Sequence, residues 1–296
     1  MQISNFFVRR FLGLSISLLF LLCIQSCVSE IESFRRQQDA IVKKIINDNN
    51  LEECIVLFFG DSLSISGTND KVNLSAYPAY QYKSLKFHYE GPAFDFNDLS
   101  TYLYHAKYFK ITNTSSIPID YSVLSKHDGI GAICLTNVKR EELFSMGELK
   151  TDILELYGET LFNFPAEHFF TITKNVKAFV IANIIIEGKD LQLQFDSLST
   201  IRLIGNYQYD FMESSNMPNL RTIGLFNMRV NTNIIKHIST KFDNIFLVIS
   251  GCELESLDVL ALLNSQFNRF LIYSSTVING DLSQYIYILD PINVRH

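Results

Sequence analysis

The chain has 296 residues, 47% of them apolar and 13% aromatic, which excludes global disorder and predicts one elongated body or two compact domains. A formal charge of −6, without a block of five like charges, excludes a nucleic-acid footprint, so no nucleic-acid partner is expected. Trp is absent, and 24 Phe and 14 Tyr supply the large side chains.

At the N-terminus, Arg9 and Arg10 precede an apolar run from Phe11 to Ile24. At about 14 residues the run falls short of the roughly 20 that span a bilayer and suits the core of a signal peptide. It closes on Ile24-Gln25-Ser26-Cys27, an aliphatic residue, then a small one, then cysteine. This resembles the lipobox of bacterial lipoproteins. The resemblance implies a signal peptide over 1–26, cleavage before Cys27, and a diacylglyceryl group on the Cys27 thiol with further acylation by chains such as palmitate. Acyl chains contribute ~0.8 kcal/mol per buried CH₂, so several together hold a soluble domain on a membrane. The expected location is the cell envelope, with the membrane engaged through the N-terminal lipid. Val28 and Ser29 do not include the Asp that retains such proteins in the inner membrane, which favours the outer membrane or cell surface. An ordinary cleaved signal and a retained anchor are the competing readings.

Ser29-Glu30-Ile31-Glu32 reads as a capping box, and Phe34, Gln38, Ile41 and Ile45 share one helical stripe. The spacing predicts a helix over about 29–49, ended by Asn49-Asn50. Without a sequential partner to pack on, such a helix is expected to cap a larger core. Residues 27–50 are thus the lipidated N-terminus and capping helix, and 51–81 a first strand with an irregular connection.

From residue 82 to about 275 the chain repeats. Leu198-Ser199-Thr200-Ile201-Arg202-Leu203-Ile204-Gly205-Asn206 is L-x-x-L-x-L-x-x-N. The same frame fits Leu220-x-x-Ile223-x-Leu225, Phe242-x-x-Ile245-x-Leu247 and Phe267-x-x-Phe270-x-Ile272, and upstream Val176-x-x-Phe179-x-Ile181 and Ile130-x-x-Ile133-x-Leu135. Ala106-x-x-Phe109-x-Ile111, Tyr82-x-x-Leu85-x-Phe87 and Thr151-x-x-Leu154-x-Leu156 fit more loosely. The last apolar positions fall at 87, 111, 135, 156, 181, 203, 225, 247 and 272, in steps of 21 to 25 residues. The pattern resembles a degenerate leucine-rich repeat. It implies an α/β, leucine-rich-repeat-like solenoid with parallel strands on the concave face, capped N-terminally by the helix and C-terminally by 276–296. An Asn after the strand fits cleanly only at Asn206; Asn113, Asn137, Asn183 and Asn227 sit one position early. A generic α/β or all-β fold is the alternative.

In that frame the positions between the inward residues face the concave side. One column reads Lys86, Lys110, Cys134, Glu155, Val180, Arg202, Gly224, Phe246, Leu271, and the next His88, Thr112, Thr136, Tyr157, Ala182, Ile204, Phe226, Val248, Tyr273. Ile204, Phe226, Phe246, Val248, Leu271 and Tyr273 form an apolar, aromatic stretch, the candidate binding patch for a protein or another apolar partner. Burial of these strands on both faces is the competing reading.

Ile55–Ser64 resembles the first block of the GDSL (SGNH) esterases through Gly60-Asp61-Ser62-Leu63, a match that would make Ser62 the nucleophile. The family's D-x-x-H is missing: the residues three before the six histidines are Leu85, Tyr102, Leu124, Pro165, Ile234 and Asn293. Cys23, Cys27, Cys54, Cys134 and Cys252 lack the close spacing of a disulfide scaffold or zinc site, so buried free thiols, no metal and no cofactor are expected. The sequence therefore predicts a membrane-anchored exported lipoprotein acting as a binding module. An exported GDSL-type serine esterase or lipase using Ser62 is the alternative, and a structural envelope lipoprotein the second alternative.

Overall fold

The computed structural model describes residues 106–188, 191–279 and 282–288, the strands at 55–59, 62–66 and 85–91, and scattered positions between 32 and 47, which are helical. Cys27, the 1–26 leader, the helix stripe of Phe34, Gln38, Ile41 and Ile45, and the tail from 289 lie outside the described residues.

The chain folds as α/β around one large, mainly parallel sheet. Its strands are β1 (Ile55–Phe59), β2 (Ser62–Ser66), β3 (Leu85–Gly91), β4 (Ala106–Asn113), β5 (Ala132–Val138), β6 (Ile153–Pro165), β7 (Ala178–Glu187), β9 (Thr200–Ile204), β11 (Thr222–Phe226), β13 (Phe246–Ser250) and β15 (Arg269–Asn279), with the two-residue β12 (Arg229–Val230) and β14 (Glu253–Leu254). Two further short strands, β8 (Leu193–Gln194) and β10 (Ser215–Asn216), pair with each other. From β2 to β15 the long strands lie side by side in chain order, each parallel to the last. β1 joins one end antiparallel to β2, and β16 (Leu282–Ile288) joins the other antiparallel to β15.

Ladder register explains why the sequence repeats. Ile65, Tyr89, Ile111, Leu135, Leu156, Ile181, Leu203, Leu225, Ile249 and Ile272 occupy one row across ten strands, and none is more than 1% exposed. Two residues earlier, Phe109, Ile133, Leu154, Phe179, Ile201, Ile223, Leu247 and Phe270 form a second buried row. From β4 to β15 each long strand therefore points two apolar side chains inward, and burial on one face of a parallel ladder fixes the register. Two expectations need correction. Phe87 and Leu247 sit in the second row, and Tyr89 and Ile249 hold the positions level with Ile111 and Leu225. A pattern with two inward residues two apart satisfies the frame in either register.

Corners come one residue after the outermost ladder pair. Asn137, Asn183, Gly205, Asn227, Gly251 and Ser274 all have positive φ there. Asn tolerates that region better than other L-residues, and glycine has no Cβ to oppose it. Of the asparagines one position early, Asn137, Asn183 and Asn227 are thus the corner residues, while Asn113 ends β4 paired with Gly91. Asn206, the clean match in sequence, is exposed and Gly205 makes the turn. Asn137 Nδ2 donates to Asn113 O (3.3 Å) and Asn183 Nδ2 to Gly158 O (3.2 Å), tying each corner to the strand before. Gly205 N, Asn227 N and Gly251 N donate to Phe226 O, Ser250 O and Tyr273 O, carrying the ladder forward through the bends.

Past the corners a shorter ladder runs through Phe162–Pro165 with Ile184–Glu187, and through β12, β14 and Thr276–Val277. Beside Ile184–Ile186, the buried Gln208 side chain acts as a peptide surrogate. Its Nε2 donates to Ile184 O (2.8 Å) and its Oε1 accepts from Ile186 N (2.9 Å). Burying those two backbone groups unpaired would cost roughly 1–3 kcal/mol each.

Return segments carry helices α1 (Arg140–Ser145), α2 (Ala166–Thr173), α3 (Tyr209–Ser214), α4 (Thr232–Lys241) and α5 (Leu257–Gln266). Asn231 caps α4 by accepting from Ile234 N (3.0 Å). Buried helix residues such as Phe169, Phe211, Ile235 and Leu263 join the inward rows in one core. Phenylalanine does the work of the missing Trp: Phe169, Phe179, Phe195 and Phe211 pack edge-on or tilted at 5.4 to 6.4 Å. Glu142 is buried yet well supplied with donors: its Oε1 accepts from Asn113 Nδ2 (2.7 Å) and Ile119 N (2.8 Å), its Oε2 from Lys139 N (2.8 Å). One carboxylate thus fastens the 114–121 connection to the start of α1.

The corners make a graded prediction. At Gly205 an added Cβ meets nothing within 4 Å, so Gly205→Ala carries only the left-handed penalty of roughly 1–2 kcal/mol. At Gly251 the Cβ would also overlap Asn227 Oδ1. Chemical denaturation should show Gly251→Ala at least as destabilised as Gly205→Ala, because the exposed Asn227 side chain must turn aside; no loss at either corner would refute the corner account.

Candidate functional site

Residues alternating with the inward rows point away from the core and form the sheet's outward face. Its middle row runs Ser64, His88, Lys110, Cys134 and Glu155, then Val180, Arg202, Gly224, Val248 and Leu271. His88, not Lys86, lies level with Lys110, and Val248, not Phe246, with Gly224. This is the same two-residue correction, applied to the other face. Phe246 is level with Thr222 and Arg269, while Ser250 is level with Phe226 and Tyr273. Ile204 and Phe226 are adjacent in one row and Val248 and Leu271 in the next. All six residues of the apolar patch are half-buried.

The first half of the face is polar. Ser64 Oγ lies 3.3 Å from His88 Nδ1. Burial lowers the His88 pKa below 6.5, and neighbouring Lys110 lowers it further while Glu90 opposes. Cys134 is buried, and its thiol is pushed up to about 11 by burial and by Glu155. It stays protonated at neutral pH, which removes it as a nucleophile. Tyr157 donates to Glu155 Oε2 (3.3 Å), and burial with the Glu155 charge raises its pKa to about 12. Tyr108 is raised further, by burial first and then by Cys134 and Glu155. These groups offer hydroxyls, an imidazole, an ammonium and a carboxylate in one strip.

The second half is apolar with cationic edges. At Gly224 a Cβ would overlap the Phe226 ring and meet Arg202 Cγ at 3.3 Å, so the missing side chain lets that ring lie across the neighbouring row. Arg269 places its guanidinium 5.3 Å from the Phe246 ring centroid.

Ser62 opens β2, opposite Phe59 of β1 and level with Lys86. The imidazole on this face meets Ser64, two residues further along β2.

Sequence reading missed a chain of hydrogen bonds on the helical side. Tyr207 Oη lies 2.7 Å from His237 Nδ1, and His237 Nε2 lies 2.6 Å from Glu213 Oε2. The hydrogen bond to His237 holds the Glu213 carboxyl below its usual range. Partners 24 and 30 residues apart are neighbours because one period brings the chain back one strand over. Beside Glu213 an open groove of about 720 Å³ is lined by Asp210, Ser215, Asn216 and Lys241. Among the described residues, no group of three or more His, Cys, Asp or Glu could hold a metal, and no helix is long and apolar enough to cross a membrane.

The His88 shift sets a pH window. The unfolded chain binds this proton more readily, so the contribution of neutral His88 is complete above 6.5 and lost as pH falls through the lower folded value. Imidazole NMR should give a His88 midpoint below 6.5 that rises in Lys110→Ala; a midpoint at or above 6.5 contradicts this electrostatic picture.

No protein-family model, curated protein or solved structure matches the chain, so its functional reading rests on the chemistry of this face.

Proposed function

We propose that the chain is an exported lipoprotein, anchored through acylated Cys27, whose solenoid of leucine-rich-repeat type binds a protein partner on its concave side. One observation carries the reading. The outward face bears half-buried Ile204, Phe226, Phe246, Val248, Leu271 and Tyr273, while the buried helix residues join the inward rows in the core. Partly exposed apolar side chains gathered on one face of a soluble domain usually mark an interaction site. Parallel strands set one beside the next, each 21 to 25 residues after the last, agree with stacked repeats of this kind. The helical residues between 32 and 47 fit the N-terminal cap, with Val42 and Ile46 packed on the core.

A GDSL-type esterase reading has the Ser64–His88 contact in its favour, although neither imidazole nitrogen of His88 has a hydrogen-bonded carboxylate among the described residues. The binding reading accounts for more of the face.

Two measurements test the proposal. Metabolic labelling with alkynyl palmitate should mark the wild-type chain and leave Cys27→Ala unmarked; an unmarked wild type removes the anchor. Phe226→Ser combined with Phe246→Ser should keep a cooperative melt, losing roughly 1.5–3 kcal/mol for two half-buried rings. Outright unfolding would show that these rings are core and that the face is no binding surface.

A further inference from the structure

The apolar half of the outward face has a charge pattern opposite to that of the whole molecule. The chain carries a net charge of −6. On β9, β11 and β13 and the start of β15, however, the outward positions are Thr200, Arg202 and Ile204, then Thr222, Gly224 and Phe226, then Phe246, Val248 and Ser250, then Arg269, Leu271 and Tyr273. Arg202 and Arg269 are the charges, and there is no carboxylate among them. Glu155, the nearest acid in the middle row, is two strands from Arg202.

Both arginines are exposed, and neither has an ion-pair partner among the described residues. Arg229, by contrast, pairs with Glu255 at 3.4 Å, and Arg140 donates to Asn163 O at 3.0 Å. Arg202 and Arg269 are three strands apart and two residues out of step. With strands ~4.8 Å apart and ~3.3 Å per residue, their Cα atoms lie roughly 16 Å apart; Val248 and Gly224, the latter overlain by the Phe226 ring, lie between them, and Leu271 follows Arg269 on its own strand. An extended peptide covers that distance in about five residues, and a separation of six is the first that also turns both end side chains to the same face.

Resting on the reading of this face as a binding surface, we infer that its C-terminal half docks an extended protein segment with two carboxylates six residues apart, flanking apolar side chains on the same face of the segment. The carboxylates pair with the Arg202 and Arg269 guanidinium forks. The apolar side chains cover Phe226, Val248 and Leu271. Charge complementarity selects an acidic segment over a basic or neutral one of the same hydrophobicity.

The test uses the mature chain and a fluorescein-labelled peptide, Gly-Asp-Thr-Leu-Thr-Phe-Thr-Glu-Gly, in which Asp, Leu, Phe and Glu share one face when extended, read by fluorescence polarisation. A second peptide has Lys at both acidic positions. The acidic peptide should bind at least tenfold more tightly than the Lys peptide. Arg202→Glu with Arg269→Glu should weaken it at least tenfold without changing the melting temperature appreciably, and the Lys peptide should then bind the variant better. Equal binding of both peptides, no binding of either, or indifference to the arginine changes overturns the inference. Binding to phosphatidylglycerol vesicles through the same arginines, without peptide binding, overturns it in favour of a lipid surface. If Phe226→Ser abolishes binding of both peptides while the arginine variant does not, the face remains the binding surface and only its acidic selectivity fails.

Discussion

No strand of this protein can bury its own apolar side chains. From β4 to β15 each long strand contributes two inward residues, and those of one turn are covered by the turns on either side and by the return segment above them. Leu203, for instance, lies between Ile181 and Leu225, and Ile201 between Phe179 and Ile223. The core is therefore continuous along the sheet, and its order follows from nearest-neighbour contacts. Everything else serves that stacking: left-handed corners that return the chain at a fixed point, Gln208 completing the ladder with a side chain, and Glu142 holding the 114–121 connection in place. Their long-range hydrogen bonds join residues about one period apart, so sequence period and spatial neighbourhood are the same fact.

Burial made the period legible. Seven of the aliphatic positions read from sequence, from Ile111 to Ile272, share one buried row because substituting a polar residue there would expose no surface and lose a core contact. Leu247 and Ile249 are both apolar and inward on β13, and a two-residue slip leaves the alternation intact, so the frame sets Leu247, and Phe87 likewise, two residues out of register. The first turn, at Ile65, is not legible because Gly60 stands where the frame has its leading apolar residue, three before Leu63. Asparagine was misread for a different reason. Its use here is conformational, at positive φ in Asn137, Asn183 and Asn227, whereas the motif looks for it one residue later.

The outward face was legible as residue types and illegible as a surface. Sequence identified Ile204, Phe226, Phe246, Val248, Leu271 and Tyr273, but the register decides which of them touch. Ser250 separates Phe226 from Tyr273, and Gly224 gives the Phe226 ring room to lie flat. Ser64 beside His88, and Tyr207 with His237 and Glu213, could not be read from local motifs, since each pairing spans a whole repeat. The face divides into a polar strip, where their own burial and the Glu155 charge hold Cys134 and Tyr157 protonated, and an apolar strip edged by two arginines. One scaffold thus presents two chemistries along a single sheet.

A register-matched deletion tests the stacking most directly. Removing the 24 residues Thr222–Ile245 joins Arg221 to Phe246, which are already linked by a 2.8 Å hydrogen bond from Phe246 N to Arg221 O. β9 would then lie against β13 with the inward rows in step. If each turn completes only its neighbours, this chain keeps a cooperative melt and an unchanged far-UV signal per residue, while removal of Thr222–Asn233 alone, half a turn, abolishes both. Loss of cooperative folding in the two deletions alike would show that the core is a single indivisible unit and that stacking by turns does not hold the protein together.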